Sequence, residues 1–184
     1  MSNPLSLCVY CGSRPGRNPA YLAAASEMGA AIANEGWRLV YGAGDVGIMG
    51  GVAEAAIAGG ATTLGVIPTH LLSREAPEGR DTQRIITETM HERKKVMFMN
   101  ADAVVVLPGG AGSLDEFFEV LTWGQLGLHE KPIYLMNTEG YWSYLIKLID
   151  HLISERFADP SLKSLFTVVD NIPDLVKDLK SRQR

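Results

Sequence analysis

The sequence has few cysteines, no long apolar run and no excess of positive charge. Its 184 residues include only two cysteines, but a chain of this length can bury a sizeable core without disulfides. No stretch approaches the roughly 18 apolar residues of a membrane span, and no basic segment of a signal peptide begins the chain. The net charge of −4 argues against holding nucleic acid by counterion release. We expect a soluble, cytoplasmic protein with neither a membrane nor a nucleic acid as partner.

Clustered metal ligands are also missing. Cys8 and Cys11 form a C-x-x-C match, but alternation along a strand sends these two side chains to opposite faces. We interpret them as a buried residue and a loop residue rather than a redox or metal pair. The four histidines are scattered, and no H-E-x-x-H pattern occurs. We expect neither a metal nor a cofactor.

The chain does contain short β-branched runs that alternate with longer helical patterns. This alternation is typical of a parallel sheet with helices on both faces. A composition of 46% apolar and 21% charged residues is that of an ordinary globular protein, and no linker divides the chain. We predict a single-domain, doubly wound, Rossmann-like α/β fold over residues 1–184. Such folds bind ligands at the carboxyl ends of their strands.

The predicted elements follow from these patterns. Strands are predicted at Leu5–Tyr10, Trp37–Tyr41, Thr62–Ile67, Ala101–Leu107, Lys131–Met136 and Phe166–Val169. Helices are predicted at Tyr21–Asn34, Gly47–Ala58, Met90–Asn100, Ser113–Leu126, Tyr141–Arg156 and Ile172–Lys180. Arg84–Glu88 is a further short extended segment.

The segment PGGAGSLDE, residues 108–116, is the most informative of the loops. It follows an apolar strand and opens a helix, so Gly109, Gly110 and Gly112 leave backbone N–H groups uncovered where the helix dipole favours an anion. The same segment ends in the carboxylate of Glu116. An anion site with an acid beside it predicts a phosphorylated substrate on which protonation or water activation takes place.

Glu116 also has an interpretation that requires no substrate. Ser113 and Glu116 have the S-x-x-E spacing of a capping box, in which both side chains bind helix-end N–H groups. The spacing alone does not decide between the two interpretations. Asp115 lies about 100° further round the helix, and we expect it to stabilise the start of that helix.

Other strand ends carry similar chemistry. The loop after the first strand offers Ser13, and Gly42, Gly44 and Gly47 after the second strand match the G-x-G-x-x-G template of a dinucleotide site. That template normally follows the first strand, with an acidic residue ending the next, whereas here the third strand ends at Ile67. We therefore favour a tight turn and close helix packing for these glycines. The loops at four strand ends, residues 11–16, 41–50, 108–116 and 67–80, are expected at one edge of the sheet and predict one composite pocket.

The only dense basic cluster is MHERKK, residues 90–95. On charge patterning alone it is typical of a solvated helix face. It also begins the helix before the PGGAGSLDE strand, so Arg93 could reach across the strand ends and offer planar donors to phosphate or ribose oxygens. Both interpretations remain open at this point.

Together, YGAGDVGIMG (41–50), MHERKKVM (90–97) and PGGAGSLDE resemble the LONELY GUY family of cytokinin-activating phosphoribohydrolases, a family often labelled "possible lysine decarboxylase". The resemblance extends from the first strand to about Lys180. It implies hydrolysis of the N-glycosidic bond of a nucleoside 5′-monophosphate, with a plain or N6-modified adenine as the base. It also implies a homodimer.

The resemblance assigns catalysis to Arg93 and Glu116. Two departures from its motifs are visible, since Ala43 replaces a usual glycine and Ser113 a usual threonine. Together with the loop analysis, the resemblance implies substrate contacts from Ser13, Gly44, Glu75, Lys94, Gly109, Gly110, Ala111, Gly112, Ser113, Leu114, Asp115 and Thr122.

Three alternatives accompany this interpretation. A lysine decarboxylase would require a pyridoxal phosphate Schiff base, yet only Lys94 and Lys95 are near the expected pocket. A carrier of a nucleotide or phosphorylated cofactor would share the fold, although the retained pair Arg93 and Glu116 counts against it. The apolar residues of the helix that follows the PGGAGSLDE turn are expected to form either a dimer surface or part of the core: Phe117, Phe118, Leu121 and Trp123.

Overall fold

The computed structural model describes residues 4–72 and 81–182. Seven strands of this part of the chain form one parallel sheet. The strands are β1 (Ser6–Tyr10), β2 (Arg38–Tyr41), β3 (Thr62–Pro68), β4 (Gln83–Thr87), β5 (Ala103–Val106), β6 (Ile133–Met136) and β7 (Thr167–Val169). The described α-helices are α1 (Pro19–Asn34), α2 (Gly47–Ala58), α3 (Met90–Met99), α4 (Ala111–Gln125), α5 (Ser143–Ser154) and α6 (Ile172–Arg182). Short 3₁₀ turns cover Thr69–Leu71, Thr138–Gly140 and Pro160–Leu165.

The first strand of the chain lies at the centre of the sheet, whose order is β4-β3-β2-β1-β5-β6-β7. Leu7 of β1 pairs with Leu39 on one side, and Val9 pairs with Val105 on the other. The chain thus winds outward from β1 to β4 and then returns to the centre at β5. This reversal leaves a crevice at the carboxyl ends of β1 and β5, where open α/β sheets bind their ligands. The predicted doubly wound α/β fold is confirmed.

The sheet separates two apolar clusters. One face packs against α1, α2 and α6, and the other packs against α3, α4 and α5. Cys8 belongs to the second cluster and Cys11 to the first, so the predicted opposite orientation of the two thiols is confirmed. Among the described residues, no helix has both the length and the apolar character needed to cross a bilayer.

Two helices begin earlier than the sequence pattern predicts. Helix α1 begins at Pro19 because Asn18 is its N-cap, with Oδ1 accepting from the N–H of Ala20 at 3.0 Å, and proline suits the first helical position. Helix α4 begins at Ala111 with Gly110 as N-cap. Ser113 therefore lies inside the first turn of α4, where its side chain cannot act as the N-cap.

The capping-box interpretation of Ser113 and Glu116, one of the two that the spacing left open, is therefore ruled out, and the capping box of this region is at α3. Thr89 Oγ1 accepts from the N–H of Glu92 at 3.2 Å, and Glu92 Oε2 accepts from the N–H of Thr89 at 3.2 Å. The same S/T-x-x-E spacing occurs at both helices, so spacing alone could not distinguish them. Glu116 is left available for another role.

The other boundaries differ by at most a few residues. The segment predicted at Arg84–Glu88 is the edge strand β4, and β5 is shorter than the apolar run that contains it. Helix α5 ends two residues before Arg156, whose φ of 64° is incompatible with a continuing helix. Helix α2 has the predicted bounds.

Candidate active site

A cavity of about 620 Å³ opens at the carboxyl ends of β1 and β5. Its walls come from the loop after β1 (residues 11–17), from the glycine turn and first turn of α4, and from the start of α3. Helix α2 contributes Ile48 and Met49. Three of the four loops predicted to form one pocket thus meet there. The described part of the fourth, residues 67–72, does not line it.

Arg93 enters this cavity from α3 and is only 6% exposed. Its Nε donates to the carbonyl of Val66 at 3.0 Å, and its Nη2 donates to the carbonyl of Gly42. The guanidinium thus reaches across the ends of β3 and β2, as one interpretation of MHERKK predicted. The solvated-face interpretation holds only for neighbours such as His91 and Lys95, which are exposed.

Glu116 lines the same cavity from the second turn of α4. Burial raises the pKa of this carboxyl to about 7, while the nearby guanidinium of Arg93 opposes the rise. Asp115 adds to the rise through charge repulsion. A carboxyl group that titrates near neutrality, in a cleft and beside a fixed cation, is typical of an acid–base centre.

Lys94, next to Arg93 on α3, is tied to α4. Its Nζ donates to Oδ2 of Asp115 at 2.9 Å and to Oε2 of Glu119 at 2.8 Å. Burial lowers the pKa of Lys94, but the hydrogen bonds to Glu119 and Asp115 outweigh this effect and hold the pKa above its ordinary value. Lys94 is therefore a charged cross-link between the helices that carry Arg93 and Glu116.

The start of α4 forms an anion cradle. The Oγ of Ser113 is buried and has no hydrogen-bond partner in the described part of the chain. The positions that a Cβ would occupy on Gly110 and Gly112 are open space, and no side chain caps the helix. A buried hydroxyl without a partner, beside uncovered N–H groups at a helix start, indicates a ligand with acceptor oxygens.

Most of the predicted contact residues that the structure describes lie around this cavity, and three do not. Gly44 is buried, and its N–H contacts Met49 Sδ at 3.2 Å. Thr122 is exposed on α4, about 16 Å along the helix from Ala111 at 1.5 Å per residue. Leu114 lines a neighbouring groove, and Glu75 lies outside the described residues. The predicted residues that line the cavity are Ser13, Arg93, Lys94, Gly109, Gly110, Ala111, Gly112, Ser113, Asp115 and Glu116.

The glycines of YGAGDVGIMG serve close packing, as we favoured. A Cβ on Gly42 would lie 2.2 Å from Arg93 Nη2. Gly47 has a φ of 65°, and a Cβ there would lie 2.4 Å from the carbonyl carbon of Ser13. These positions allow Arg93 to approach β2 and allow α2 to approach the loop after β1.

Several residues that line the cavity were not predicted from the sequence: Arg14, Arg17, Tyr21, Met90 and Tyr141. The two arginines could have been predicted from the sequence, because both follow β1 in a loop that contains glycine and proline, at the edge of the sheet where the pocket was expected. The two tyrosines had none, since their rings reach the cavity only through the packing of α1 and of the turn after β6.

An apolar groove of about 440 Å³ adjoins the cavity and shares Tyr141 with it. Leu114 and Phe118 of α4 face Tyr144 and Leu148 of α5 across this groove. The other apolar side chains singled out on α4 pack inside the molecule: Phe117 and Leu121 are buried, and Trp123 contacts Phe98 at 5.1 Å between ring centroids.

The described residues contain no group of three or more histidine, cysteine or acidic side chains placed to hold a metal ion.

Known proteins resemble the chain over nearly its full length. A family model described as "Possible lysine decarboxylase" matches residues 49–179. A cytokinin riboside 5′-monophosphate phosphoribohydrolase of Rhodococcoides fascians is 42% identical over 179 residues, which cover 97% of this chain and 90% of that protein. The Arabidopsis thaliana enzyme LOG7, of the same name, is 41% identical over 174 residues, covering 95% and 80%.

Solved structures share the architecture at lower identity. The molybdenum cofactor binding protein from Rippkaea orientalis superposes with a TM-score of 0.74 at 23% identity, and the match covers 100% of both chains. At this identity the likeness concerns the fold alone.

Proposed function

The chain belongs to the "possible lysine decarboxylase" family, which includes cytokinin riboside 5′-monophosphate phosphoribohydrolases, and we propose that Arg93 and Glu116 carry the same hydrolysis here. The reaction cleaves the N-glycosidic bond of an adenosine 5′-monophosphate, with or without an N6 substituent. The products are the free base and ribose 5-phosphate. The observation that carries the residue assignment is that one cavity holds Arg93, the pKa-shifted Glu116 and an anion cradle.

The chemistry requires a negative group near the anomeric carbon. Cleavage of a ribosyl–base bond develops oxocarbenium character on the ribose, and an ionised Glu116 stabilises that charge and activates the attacking water. With a pKa of about 7, Glu116 holds a proton at only slightly acidic pH and can pass it on during turnover. A guanidinium does not serve as a proton donor in proteins, so the role of Arg93 is to orient the ribose and to stabilise negative charge.

The start of α4 binds the 5′-phosphate in this proposal. The N–H groups of Gly110 to Ser113 and the unpartnered Ser113 hydroxyl supply donors. Binding energy from this remote group positions the ribose at Glu116, so a nucleoside that lacks the phosphate loses turnover as well as affinity. Plain AMP contains the same ribose 5-phosphate as an N6-modified nucleotide, so an AMP nucleosidase-type activity would use the same residues.

The decarboxylase label of the family is not supported by Lys94. A Schiff-base lysine needs a lowered pKa and a free amine. Lys94 instead has a raised pKa and donates to two carboxylates.

We further propose that the protein works as one domain in a cytoplasmic homodimer. The apolar groove between α4 and α5 supports a self-association surface next to the cavity, since exposed apolar grooves rimmed by polar residues mark interaction sites.

The test is to incubate the purified protein with AMP and with isopentenyladenosine 5′-monophosphate and to separate free base from ribose 5-phosphate by chromatography. We expect base release from at least one substrate, and a loss of about 1,000-fold or more in Glu116→Gln. Glu27→Gln, on the exposed surface of α1 and outside the cavity lining, is the control and should keep the full rate. Tight nucleotide binding without base release would instead favour a carrier.

A further inference from the structure

Two arginines of the cavity carry charge that the proposed mechanism does not use. Arg14 and Arg17 line the cavity from the loop after β1 and are exposed. Within residues 4–72 and 81–182, neither arginine has a carboxylate within ion-pair distance, whereas Lys94 in the same cavity has two. The chain as a whole has a net charge of −4, so this local cationic surface opposes the overall charge.

The backbone that carries Arg14 is fixed on two sides. The N–H of Gly12 donates to the carbonyl of Pro108 at 3.1 Å, which joins the loop to the glycine turn. The N–H of Met49 donates to the carbonyl of Gly12 at 3.1 Å, which joins it to α2. A Cβ on Gly47 would lie 2.5 Å from the nitrogen of Arg14, so α2 packs directly on this backbone.

The far end of the loop is fixed by aromatic rings. A Cβ on Gly16 would lie 2.8 Å from Tyr21 Cδ2, so the Tyr21 ring packs on the loop. Tyr21 meets Tyr141 edge to face, with 5.2 Å between ring centroids. The hydroxyl of Tyr141 donates to the carbonyl of Gly109 at 2.6 Å. The loop and the anion cradle are therefore connected at both ends.

We propose that Arg14 and Arg17 are specificity residues that close over the 5′-phosphate bound at the start of α4 and so select nucleotides over nucleosides. This inference rests on the proposed function and names the residues that read its phosphate. A phosphate monoester carries nearly two negative charges at pH 7. The cradle of Gly110 to Ser113 supplies hydrogen bonds but only a partial charge, whereas two guanidinium groups supply full charges and planar paired donors.

The exposure of the two side chains suits this role. Guanidinium groups on long, solvated side chains can swing onto a ligand, while the fixed backbone keeps both in the wall of the cavity that contains the start of α4. Charge supplied from a pre-positioned loop also attracts an anionic substrate before it docks.

The test compares Arg14→Gln, Arg17→Gln and the double variant on AMP and on adenosine. We expect the double variant to lose about 100-fold in kcat/KM for AMP, while the value for adenosine changes less than about threefold. The double lysine variant keeps the charge without the planar fork and should recover part of the loss. Lys177→Gln removes an exposed charge from α6, which follows the edge strand β7 and does not line the cavity; it is the matched control and should leave both values unchanged.

Binding of ribose 5-phosphate and of ribose, measured by calorimetry, separates this inference from the proposed function. We expect the double variant to bind ribose 5-phosphate at least about 30-fold more weakly than the parent, with ribose binding unaffected. If the parent does not hydrolyse nucleotides but shows this difference, the hydrolase assignment fails and the role of the arginines stands. If the double variant binds ribose 5-phosphate within about threefold of the parent, or the parent does not bind it, the role of the arginines is overturned.

Discussion

The Nζ of Lys94 lies 2.9 Å from Oδ2 of Asp115, and this contact ties α3 to the first turns of α4. Glu119, one turn further along α4, accepts from the same Nζ at 2.8 Å. Because α3 carries Arg93 and α4 carries Glu116, a single buried ammonium group sets the spacing of the two proposed catalytic side chains.

Replacing Lys94 by methionine should therefore lower both stability and activity. The substitution removes the ammonium group of a side chain that is 5% exposed, while the two carboxylates left behind are partly solvated. We therefore expect the free energy of unfolding to fall by about 2 kcal/mol. Because the spacing of Arg93 and Glu116 relaxes, kcat should fall about tenfold or more. Urea unfolding and steady-state rates measure the two effects.

Asp115→Asn is the control for this change. Asp115 is 63% exposed, and Glu119 still holds Lys94, so the stability loss should stay below about 1 kcal/mol. An equal loss from both substitutions would show that Lys94 does not act through the helix spacing.

The pH dependence of the rate should follow the titration of Glu116. Since the mechanism uses the ionised carboxylate, kcat/KM for AMP should rise with pH and level off above a midpoint near 7, the pKa to which burial raises this group. The phosphate of free AMP also titrates, at about pH 6. Its contribution to the pH dependence of kcat/KM is obtained separately by ³¹P NMR of free AMP. A midpoint that stays near 7 in the residual activity of Glu116→Gln would assign the titration to another group.

The same carboxyl group should make stability depend on pH. Its pKa rises from 4.5 to about 7 on folding, so the folded state keeps a proton that the unfolded chain releases between these values. Its contribution is therefore complete below pH 4.5 and is lost as the pH rises through 7. The loss amounts to roughly 3 kcal/mol.

Glu116→Gln stays neutral at every pH, so relative to the parent it should gain stability between pH 5 and pH 8. Urea unfolding at the two pH values measures this gain, and Glu27→Gln on the exposed surface of α1 should show no such difference between them. An unchanged gap between Glu116→Gln and the parent would contradict the buried, proton-holding carboxyl.

Ser113→Ala should separate binding from stability. The hydroxyl is buried without a partner in the described part of the chain, so its removal should leave the ligand-free protein as stable as the parent or more stable by about 1 kcal/mol. Affinity for ribose 5-phosphate should fall about tenfold, because one donor to the phosphate is lost. Ser113→Thr, which keeps the hydroxyl, should retain the affinity. Thermal unfolding and calorimetry provide the two readouts.

Gly47→Ala and Gly60→Ala form a matched pair. Both positions have positive φ, 65° and 83°, but only a Cβ on Gly47 would meet neighbouring atoms. Gly60→Ala should cost about 1 kcal/mol through backbone strain. Gly47→Ala should cost about 3 kcal/mol because it also pushes α2 away from Ser13 and Arg14. It should weaken AMP binding as well, whereas Gly60→Ala should not.

Local pattern predicted much of this architecture from the sequence. Helix α2 was found with its bounds, and the edge strand β4 within one residue, because apolar periodicity reports directly on which face is buried. The start of α4 was misjudged because its N-cap is Gly110, which has no side chain to signal a cap. The serine that looked like the cap lies inside the helix, with its hydroxyl buried against Gly109 of the glycine turn.

Residues placed by distant contacts could not be predicted in this way. Lys94 and Asp115 pair across two helices, and Tyr141 reaches Gly109 from 32 positions along the chain. Neither contact produces a hydrophobic periodicity or a motif that could be recognised in the sequence. Thr122 illustrates the converse, since a motif position implies a substrate contact for a residue that does not line the cavity of the single chain.

The central position of β1 has a consequence for biosynthesis. β1 pairs with β5 through residues about a hundred positions apart, Leu7 with Ala103 and Tyr10 with Val106. As the chain leaves the ribosome, β2 can cover one side of β1 early, while the other side stays open until β5 has been synthesised. The order of translation therefore differs from the order of the sheet, and the start of α4 cannot meet the loop that carries Arg14 and Arg17 until this last central pairing forms. A nascent chain that stops short of β5 exposes an unpaired apolar strand edge, the kind of surface that aggregates.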